Sequence, residues 1–471
     1  MRHPGLRPGA VVALMADNGI DWLVAAAAVG RMDAVLLPLP GFFTDAQCRH
    51  AFEAAGATLL LSDDPARGAR LGHHPRDTLP GTALHAMQQG AAAGVHAAPL
   101  LPRGTGLITF TSGSTGAPRG VCLGRGALDR VARGVADVAS TLGIERHLCL
   151  LPLAVLLEQV AGAGAAVRAG ATIIALPLAA AGVSGSSGFA ASVALDAMIR
   201  HEVHSVILLP QMLQALVDAA SAGAQVPRSL RLVAVGGGRV PVALVERARA
   251  LGIPACEGYG LSECGSVVAL ALPTDPADAG MRPLSHARVR MESLQASRRG
   301  AVDAGIVVEG PSFLGYLGAS VAPVSSPVHT GDLGSIDGAG RLRITGRAGN
   351  LLITGFGRNV SPEWPEAELL AQPEIRQAAV FGEGRPWLSA VLVPAPDAAP
   401  AVAAVVDRVN ATLPDYARIG GWVIAHSPFT PADGLLTANG RLRRDAILAR
   451  HGAGLDALYE GSPMETHDAL P

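Results

Sequence analysis

Thr109-Phe110-Thr111-Ser112-Gly113-Ser114-Thr115-Gly116-Ala117-Pro118-Arg119-Gly120 is the stretch on which the reading of this chain turns. An apolar run over residues 107–111 reads as a buried strand and passes directly into small hydroxyl and glycine residues. Glycine lets a backbone turn sharply and lets a ligand approach it closely. Consecutive amides and hydroxyls in such a loop form a cradle for an anion, phosphates above all. The loop is not a Walker A motif, because Gly-x4-Gly-Lys is missing. On composition alone, a plain Ser/Thr/Gly surface loop accounts for it equally well.

Outward from this loop, strand-like runs recur at 11–15, 34–39, 58–62, 172–176, 205–209 and 232–235. Segments with helical spacing, such as 128–142 and 210–222, lie between them. The alternation predicts an α/β architecture with buried sheets. From about Gly305 the texture changes to short strands with turn signals: 306–309, then Asp337-Gly338, then 342–345. This predicts a β-rich subdomain. Beyond Arg347 a compact unit is expected. It has a hairpin-like segment, a helix over 363–370, strands at 378–381 and 388–393, then a helix and a final strand. The polar tail after about Leu458 reads as loose. The expected fold is a large layered α/β N-terminal domain with a β-rich subdomain over 1–347, plus a small mobile α+β C-terminal domain over 348–471.

Hydrophobic residues make up 49% of the 471, enough for an ordinary core. A net charge of −2 gives no electrostatic case for nucleic acid or an anionic membrane. The five cysteines, Cys48, Cys122, Cys149, Cys256 and Cys264, form no CxxC pair. An odd, scattered set argues against a disulfide framework or a zinc site and fits a reducing compartment. No basic segment followed by an apolar stretch opens the chain, so a cytoplasmic location is expected. The uncharged run over 169–195 is long enough to span a membrane, but Pro177 and repeated Gly and Ser make it strand, loop and helix start. No integral membrane segment is expected. All 37 Lys+Arg residues are arginine; the chain has no lysine.

The loop at 109–120 resembles the phosphate loop of the adenylate-forming superfamily, which includes acyl-CoA synthetases, aryl-CoA ligases, peptide-synthetase adenylation domains and luciferases. Further elements follow in the family's order. Gly236-Gly237-Gly238 is similar to the adenine-contacting turn. Glu257-Gly258-Tyr259-Gly260-Leu261-Ser262-Glu263 resembles the YGxTE element, Thr330-Gly331-Asp332 the TGD element, and Gly346-Arg347 the start of the stretch ending Asn359-Val360-Ser361-Pro362-Glu363. Leu436-Thr437-Ala438-Asn439-Gly440-Arg441 is similar to the C-terminal catalytic loop. The resemblance covers nearly the whole chain. It implies ATP and Mg²⁺ as cofactors, a small-molecule carboxylic acid as substrate, and coenzyme A or a phosphopantetheine carrier, including an acyl carrier protein, as co-substrate.

The resemblance also implies roles for single residues. Thr111, Ser112, Gly113, Ser114, Thr115 and Gly116 would hold the β- and γ-phosphates, and Arg119 would neutralise them. Glu263, a hard carboxylate, would hold Mg²⁺ together with Thr115. Tyr259 offers a flat apolar face to adenine, beside Gly236, Gly237 and Gly238 and within the element holding Glu257, Gly258, Gly260 and Ser262. Asp332 can accept both ribose hydroxyls, and Arg347 can reach ribose or phosphate with its fork of donors. Taken singly, Tyr259 reads as a core tyrosine, Glu263 as a solvated charge and Asp332 as a turn residue. Gly349 stands at the family's hinge, where Asp or Lys is commoner, and also reads as a plain turn glycine.

Three departures qualify the reading. The family's catalytic lysine aligns with Arg441, which keeps the charge but not the compact shape. Arg441 can still clamp carboxylate or phosphate with two donors. Leu151-Pro152-Leu153-Ala154-Val155-Leu156-Leu157-Glu158 resembles the long-chain acyl-CoA synthetase stretch LPLAHxxE, with Val155 in place of the histidine. It points to a hydrophobic acid such as a fatty acid and leaves an aryl acid open. Family members usually carry several dozen further N-terminal residues, so a trimmed edge or a misassigned start is expected. The lysine-free composition reads either as a GC-rich genome's bias or as selection against amines that an acyl-adenylate would modify. The expected reaction is acid activation to acyl-AMP with pyrophosphate release, then transfer to a thiol. Its rivals are a non-catalytic or adenylation-impaired binding protein, and an adenylating enzyme with an unusual acid or an amine acceptor.

Overall fold

The computed structural model describes residues 7–57, 59–89, 101–111, 119–185, 188–292, 304–318, 327–355, 358–437 and 440–460. The chain divides into two compact units. One is Met1–Gly237 with Ala248–Val289 and Val308–Val328; the other is Gly238–Arg247 with Arg290–Val307 and His329–Pro471.

The first unit contains an eight-stranded sheet. Its order is Gly315–Tyr316, Arg119–Gly124, Thr105–Thr111, Val35–Pro38, Val11–Met15, Leu59–Ser62, His85–Gln89, His73–Thr78. The strand Val11–Met15 shows why such segments read as unbroken apolar runs. Val12 and Leu14 pack with Trp22, Ala25 and Val29 of the helix Ile20–Arg31. Val11, Ala13 and Met15 pack with Cys48, Ala51 and Phe52 of the helix Asp45–Ala55. Alternate side chains leave opposite faces of a strand, and here helices cover both. The central strands are parallel. Thr105–Thr111 then pairs antiparallel with Arg119–Gly124, Thr111 opposite Arg119. The two strands that flank the loop are therefore adjacent in the sheet.

A seven-stranded sheet in the same unit runs Arg282–Pro283, Ser266–Leu270, Ala255–Leu261, Leu232–Val235, Ser205–Leu208, Arg146–Leu148, Thr172–Ile174. From Ala255–Leu261 to Thr172–Ile174 all pairs are parallel. Asn18, in the loop after Val11–Met15, is 4% exposed. It donates to the carbonyl of Leu151 (2.9 Å) and accepts from the amide of Leu153 (2.7 Å), which fastens that loop to residues 151–153. The run over 169–195 becomes the strand Thr172–Ile174, a turn Leu178–Ala181, two short strands and the start of the helix Ala191–Arg200. Among the described residues no helix is long and apolar enough to cross a membrane. All five cysteines are buried free thiols.

A four-stranded sheet follows, in the order Arg288–Glu292, Ala304–Glu309, Val328–Ile336, Leu342–Arg347. The C-terminal part of the second unit is a three-stranded sheet: Ile375–Phe381, Leu388–Pro394, Ile419–Ile424. Alternation again sorts the side chains. Ala378, Val380, Ala390 and Leu392 pack with Val402, Val405 and Val409 of the helix Val402–Thr412. Ala379, Phe381, Val391 and Val393 pack with Ile447 and Leu455 of the helix Arg444–Glu460. This last helix goes beyond the sequence expectation, which has a catalytic loop at 436–441, a loose tail after about Leu458 and no element between them; helix extends to Glu460.

Candidate active site

The two segments expected at adenine meet at the carboxyl edge of the seven-stranded sheet, because Val235 pairs in parallel register with Glu257. Crevices at the carboxyl ends of parallel strands are where open α/β sheets bind ligands. Gly236 follows Val235 and donates its amide to the carbonyl of Leu208 (3.0 Å). A Cβ on Gly236 would lie 3.3 Å from the carbonyl oxygen of Gly258, so the two glycine-bearing elements, far apart in sequence, lie against each other. Gly237 (φ 82°) turns the chain away; it and Gly238 are exposed. Tyr259 is half-buried and pairs with Ala269, and the register slips between Tyr259 and Gly260. A Cβ on Gly260 would fall 1.9 Å from the carbonyl oxygen of Ser266, so the slip requires glycine there.

After this strand comes a single 3₁₀ turn, Ser262–Cys264, which presents Glu263. Its backbone carbonyl accepts from the amide of Phe313 (2.7 Å), and its Oε1 accepts from the hydroxyl of Tyr316 (2.9 Å). Tyr316 pairs with Val121 beside the hairpin that carries Arg119, and the Arg119 guanidinium carbon stands 5.7 Å from the Tyr316 ring centroid. Burial first, and the Glu263 carboxylate second, push the Tyr316 phenol up to about 12, so it stays a donor. The structure thus joins two predicted residues, Glu263 and Arg119, through one that sequence reasoning missed. A lone tyrosine in the run Leu314-Gly315-Tyr316-Leu317 gives no signal of its own in the sequence. Glu263 Oε1 is engaged, and Oε2 is not used by Tyr316, which fits a hard-cation ligand. Ser112, Gly113, Ser114, Thr115 and Gly116 lie outside the described residues; Thr111 and Arg119, at the ends of their loop, are cross-strand partners.

Asp332 and Arg347 are cross-strand partners in the antiparallel pair Val328–Ile336 and Leu342–Arg347. Arg347 Nε stands 3.1 Å from Asp332 Oδ1, and the Asp332 side chain is 15% exposed against 47% for Arg347. Thr330 Oγ1 accepts from the amide of Asp332 (3.0 Å) and donates to the carbonyl of Ile306 (2.9 Å), which fixes the carboxylate's backbone. The two residues expected at the ribose are therefore neighbours. Gly349 lies in the short turn Ala348–Asn350. A Cβ there would meet nothing within 4 Å, and its backbone is outside the left-handed region, so this conformation does not itself require glycine.

Arg441 sits at the end of a tight turn: Thr437 donates its amide to the Arg441 carbonyl (2.8 Å), and Thr437 Oγ1 accepts from the Arg441 amide (3.1 Å). The Arg441 side chain is exposed. Arg444, three residues on, opens the last helix, where a cation opposes the helix dipole. Its pair with Glu366 (Nη2 to Oε2, 2.6 Å) offsets that, and its Nη1 donates to the carbonyl of Val380 (3.0 Å). Arg444 thereby fastens the start of the last helix to the helix Glu363–Leu370 through Glu366 and to the strand Ile375–Phe381 through Val380.

Glu158 has a different place from the one its motif suggested. It is fully buried at the start of a π-helical turn, Glu158–Gly164. Its Oε2 accepts from the amide of Leu151 (2.9 Å) and its Oε1 from His147 Nε2 (2.8 Å). A carboxylate only accepts, so Nε2 is the donor of that bond, and Nδ1 stands 2.9 Å from Ser205 Oγ. Burial and the neighbouring Glu158 hold the Cys149 thiol well above its usual range. His147, Cys149 and Glu158 have ligand atoms within 4.8 Å of one another, the spacing of a metal cluster. Yet both oxygens of Glu158 and both nitrogens of His147 are already hydrogen-bonded. A Cβ on Gly162 would lie 1.9 Å from Glu158 Oε1. The group is a packed internal strut that pins the π-helical turn to the sheet.

Residues 1–317 match the AMP-binding enzyme family, and residues 350–463 match that family's C-terminal domain. The chain belongs to the AMP-binding enzyme family. A Mycobacterium tuberculosis CoA ligase named for a methyl-dioxo-octahydroindenyl-propanoyl group is 30% identical to this AMP-binding enzyme over 410 residues, 80% of this chain and 77% of that one. Feruloyl-CoA synthase of an Amycolatopsis species is 29% identical over 424 residues, 84% of this chain and 80% of that one. The o-succinylbenzoate CoA synthetase of Bacillus subtilis, solved with its acyl-adenylate, has the same fold: TM-score 0.73 over 94% of this chain and 88% of that one, at 23% identity. The same synthetase solved with ATP and a magnesium ion superposes with a TM-score of 0.70 over 93% and 89%, at 23% identity.

Proposed function

We propose that this AMP-binding enzyme activates a hydrophobic carboxylic acid with ATP and passes the acyl group to coenzyme A. The observation that carries the reading is the meeting of Gly236, Gly258, Tyr259, Glu263 and Arg119's hairpin around one carboxyl edge of the sheet. An acid oxygen attacks the α-phosphorus, the bond to the bridging oxygen breaks, and pyrophosphate leaves. A thiolate then attacks the acyl carbon and AMP leaves. Both reactants of the first step are anions, so cationic groups that act on the developing charge dominate the barrier. Arg441 orients carboxylate and α-phosphate; Arg119 and residues 111–116 hold the β- and γ-phosphates. Tyr259 with Gly236–Gly238 takes adenine, and Asp332 with Arg347 takes ribose. Glu263 and Thr115 would hold magnesium, which would neutralise charge on the phosphates. Gly349 is the hinge between residues 1–347 and 348–471.

For the acid, ring-bearing hydrophobic acids come before straight-chain ones. The relatives' names give indenyl-propanoyl and feruloyl groups, whereas the fatty-acid expectation rests on a motif whose Glu158 is consumed by internal hydrogen bonds. The experiment is pyrophosphate release by purified protein with ATP and Mg²⁺, against aryl and polycyclic acids and fatty acids of graded length, with and without coenzyme A. Acid-dependent release that drops by about 10²-fold or more in Arg441→Ala is expected. Release only with fatty acids would replace the ring-bearing class. No release with any acid would move the reading to a nucleotide- or acyl-adenylate-binding protein. A thioester formed only with a phosphopantetheinylated carrier would replace coenzyme A.

A further inference from the structure

We propose that Tyr316 is a positioning residue that sets Glu263 for its cation and couples it to the phosphate loop's exit; the inference rests on the adenylating reading above. Glu263 stands in a one-turn helix, and a free glutamate side chain explores many rotamers, so orientation must come from outside. The segment around residues 313–316 supplies it twice. Phe313 donates its amide to the Glu263 carbonyl (2.7 Å), and Tyr316 donates its hydroxyl to Oε1 (2.9 Å). Tyr316 is itself immobilised. Its strand pairs with Arg119–Gly124 at Gly315–Cys122 and Tyr316–Val121. The flanking Leu314 and Leu317 amides donate to the carbonyls of Cys122 (2.7 Å) and Gly120 (2.8 Å). Its ring takes the Phe313 ring edge-on at 5.0 Å and Arg119 at 5.7 Å.

This geometry does more than hold a turn in place. The hydroxyl occupies one carboxylate oxygen and leaves the other for a hard cation. The same ring contacts the guanidinium at the end of the phosphate loop. Cation ligand and phosphate contact are therefore set at a fixed separation before ligand arrives, the kind of preorganisation that electrostatic catalysis depends on.

The test compares the full chain with Tyr316→Phe, which keeps the ring and removes the hydroxyl. Calorimetric binding of a non-hydrolysable ATP analogue is followed as a function of Mg²⁺ concentration, with magnesium-free AMP binding and the thermal midpoint alongside. We expect the Mg²⁺ concentration for half-maximal binding to rise roughly three- to tenfold, with AMP binding and the midpoint nearly unchanged. In a Glu263→Gln background the same substitution should add nothing, since the two act through one another. An unchanged Mg²⁺ dependence in Tyr316→Phe, or an additive effect in the double variant, overturns the inference alone. So does a matching loss of AMP binding, which marks a purely structural role. A native chain that binds the analogue without regard to Mg²⁺ overturns the adenylating reading, and this inference with it.

Discussion

At the scale of single residues, the strut His147–Glu158 shows how a motif can be right in sequence and misread in role. Replacing Glu158 with leucine strips the Leu151 amide and His147 Nε2 of their acceptor at a site with no access to water. The expected loss is about 3 kcal/mol of unfolding free energy, measured by urea denaturation. A loss under about 1 kcal/mol would mean the network contributes little. The partner could not be read from the sequence: His147 lies in a short strand eleven positions away, and a lone histidine in an apolar stretch carries no sign of what it faces. A second histidine predicts a pH effect. His286 is pushed below its usual range by burial first and by Arg130, with the Val267 carbonyl and Asp137 acting the other way. Its Nε2 stands 2.9 Å from that carbonyl, and Nδ1 has no partner among the described residues. A histidine whose folded value lies below the unfolded 6.5 contributes stability above 6.5, and that contribution is lost as pH falls through the folded value. The thermal midpoint should therefore fall more steeply with acidification below 6.5 in the native chain than in His286→Gln. Equal slopes would remove His286 from the account.

Among elements, those with one strong period were legible and those without it were not. Val11–Met15 appears as read because every position is apolar and both faces are covered, and Leu232–Val235 because every position is apolar and Leu232, Val233 and Val235 are buried. Glu363–Leu370 appears as read because Pro362 and the acidic first turn mark its start. The antiparallel strands His73–Thr78 and His85–Gln89 went unread: the first shows solvent along most of its length and has no apolar alternation. The helix Arg444–Glu460 was hidden by Arg444 at its dipole-opposed end and by Gly452 and Gly454 in its body. Those two glycines should respond differently. A Cβ on Gly452 meets nothing within 4 Å, whereas on Gly454 it would lie 3.2 Å from Val423 Cγ2 in the strand beneath. Gly452→Ala should stabilise by roughly 0.5–1 kcal/mol through helix propensity, and Gly454→Ala should gain nothing or lose stability. Thermal midpoints of the two variants decide it. Equal gains would mean the helix does not press on that strand as closely as the structure has it.

For the molecule as a whole, the most telling property is one no single element displays: among 471 residues there is no side-chain amine. An acyl-adenylate is a reactive mixed anhydride, and an unprotonated lysine is a natural acceptor for it, whereas a guanidinium stays charged and does not attack. Two causes remain in competition, genome-wide bias toward arginine and protection of the chain from its own intermediate. Arg441 separates them, since the proposed role sets it beside the reacting carboxylate. Arg441→Lys would give the chain its single ε-amine at that point. Incubated with ATP, Mg²⁺ and the preferred acid but no thiol, the native chain should gain no stable acyl adduct. The variant should gain one acyl group, located by peptide mass analysis on the tryptic fragment containing position 441, and lose it as a site when coenzyme A drains the adenylate. A variant that forms acyl-AMP yet stays unmodified over many turnovers would show that a lysine at the site is harmless. Protection would then explain nothing, and the missing lysines would belong to composition alone.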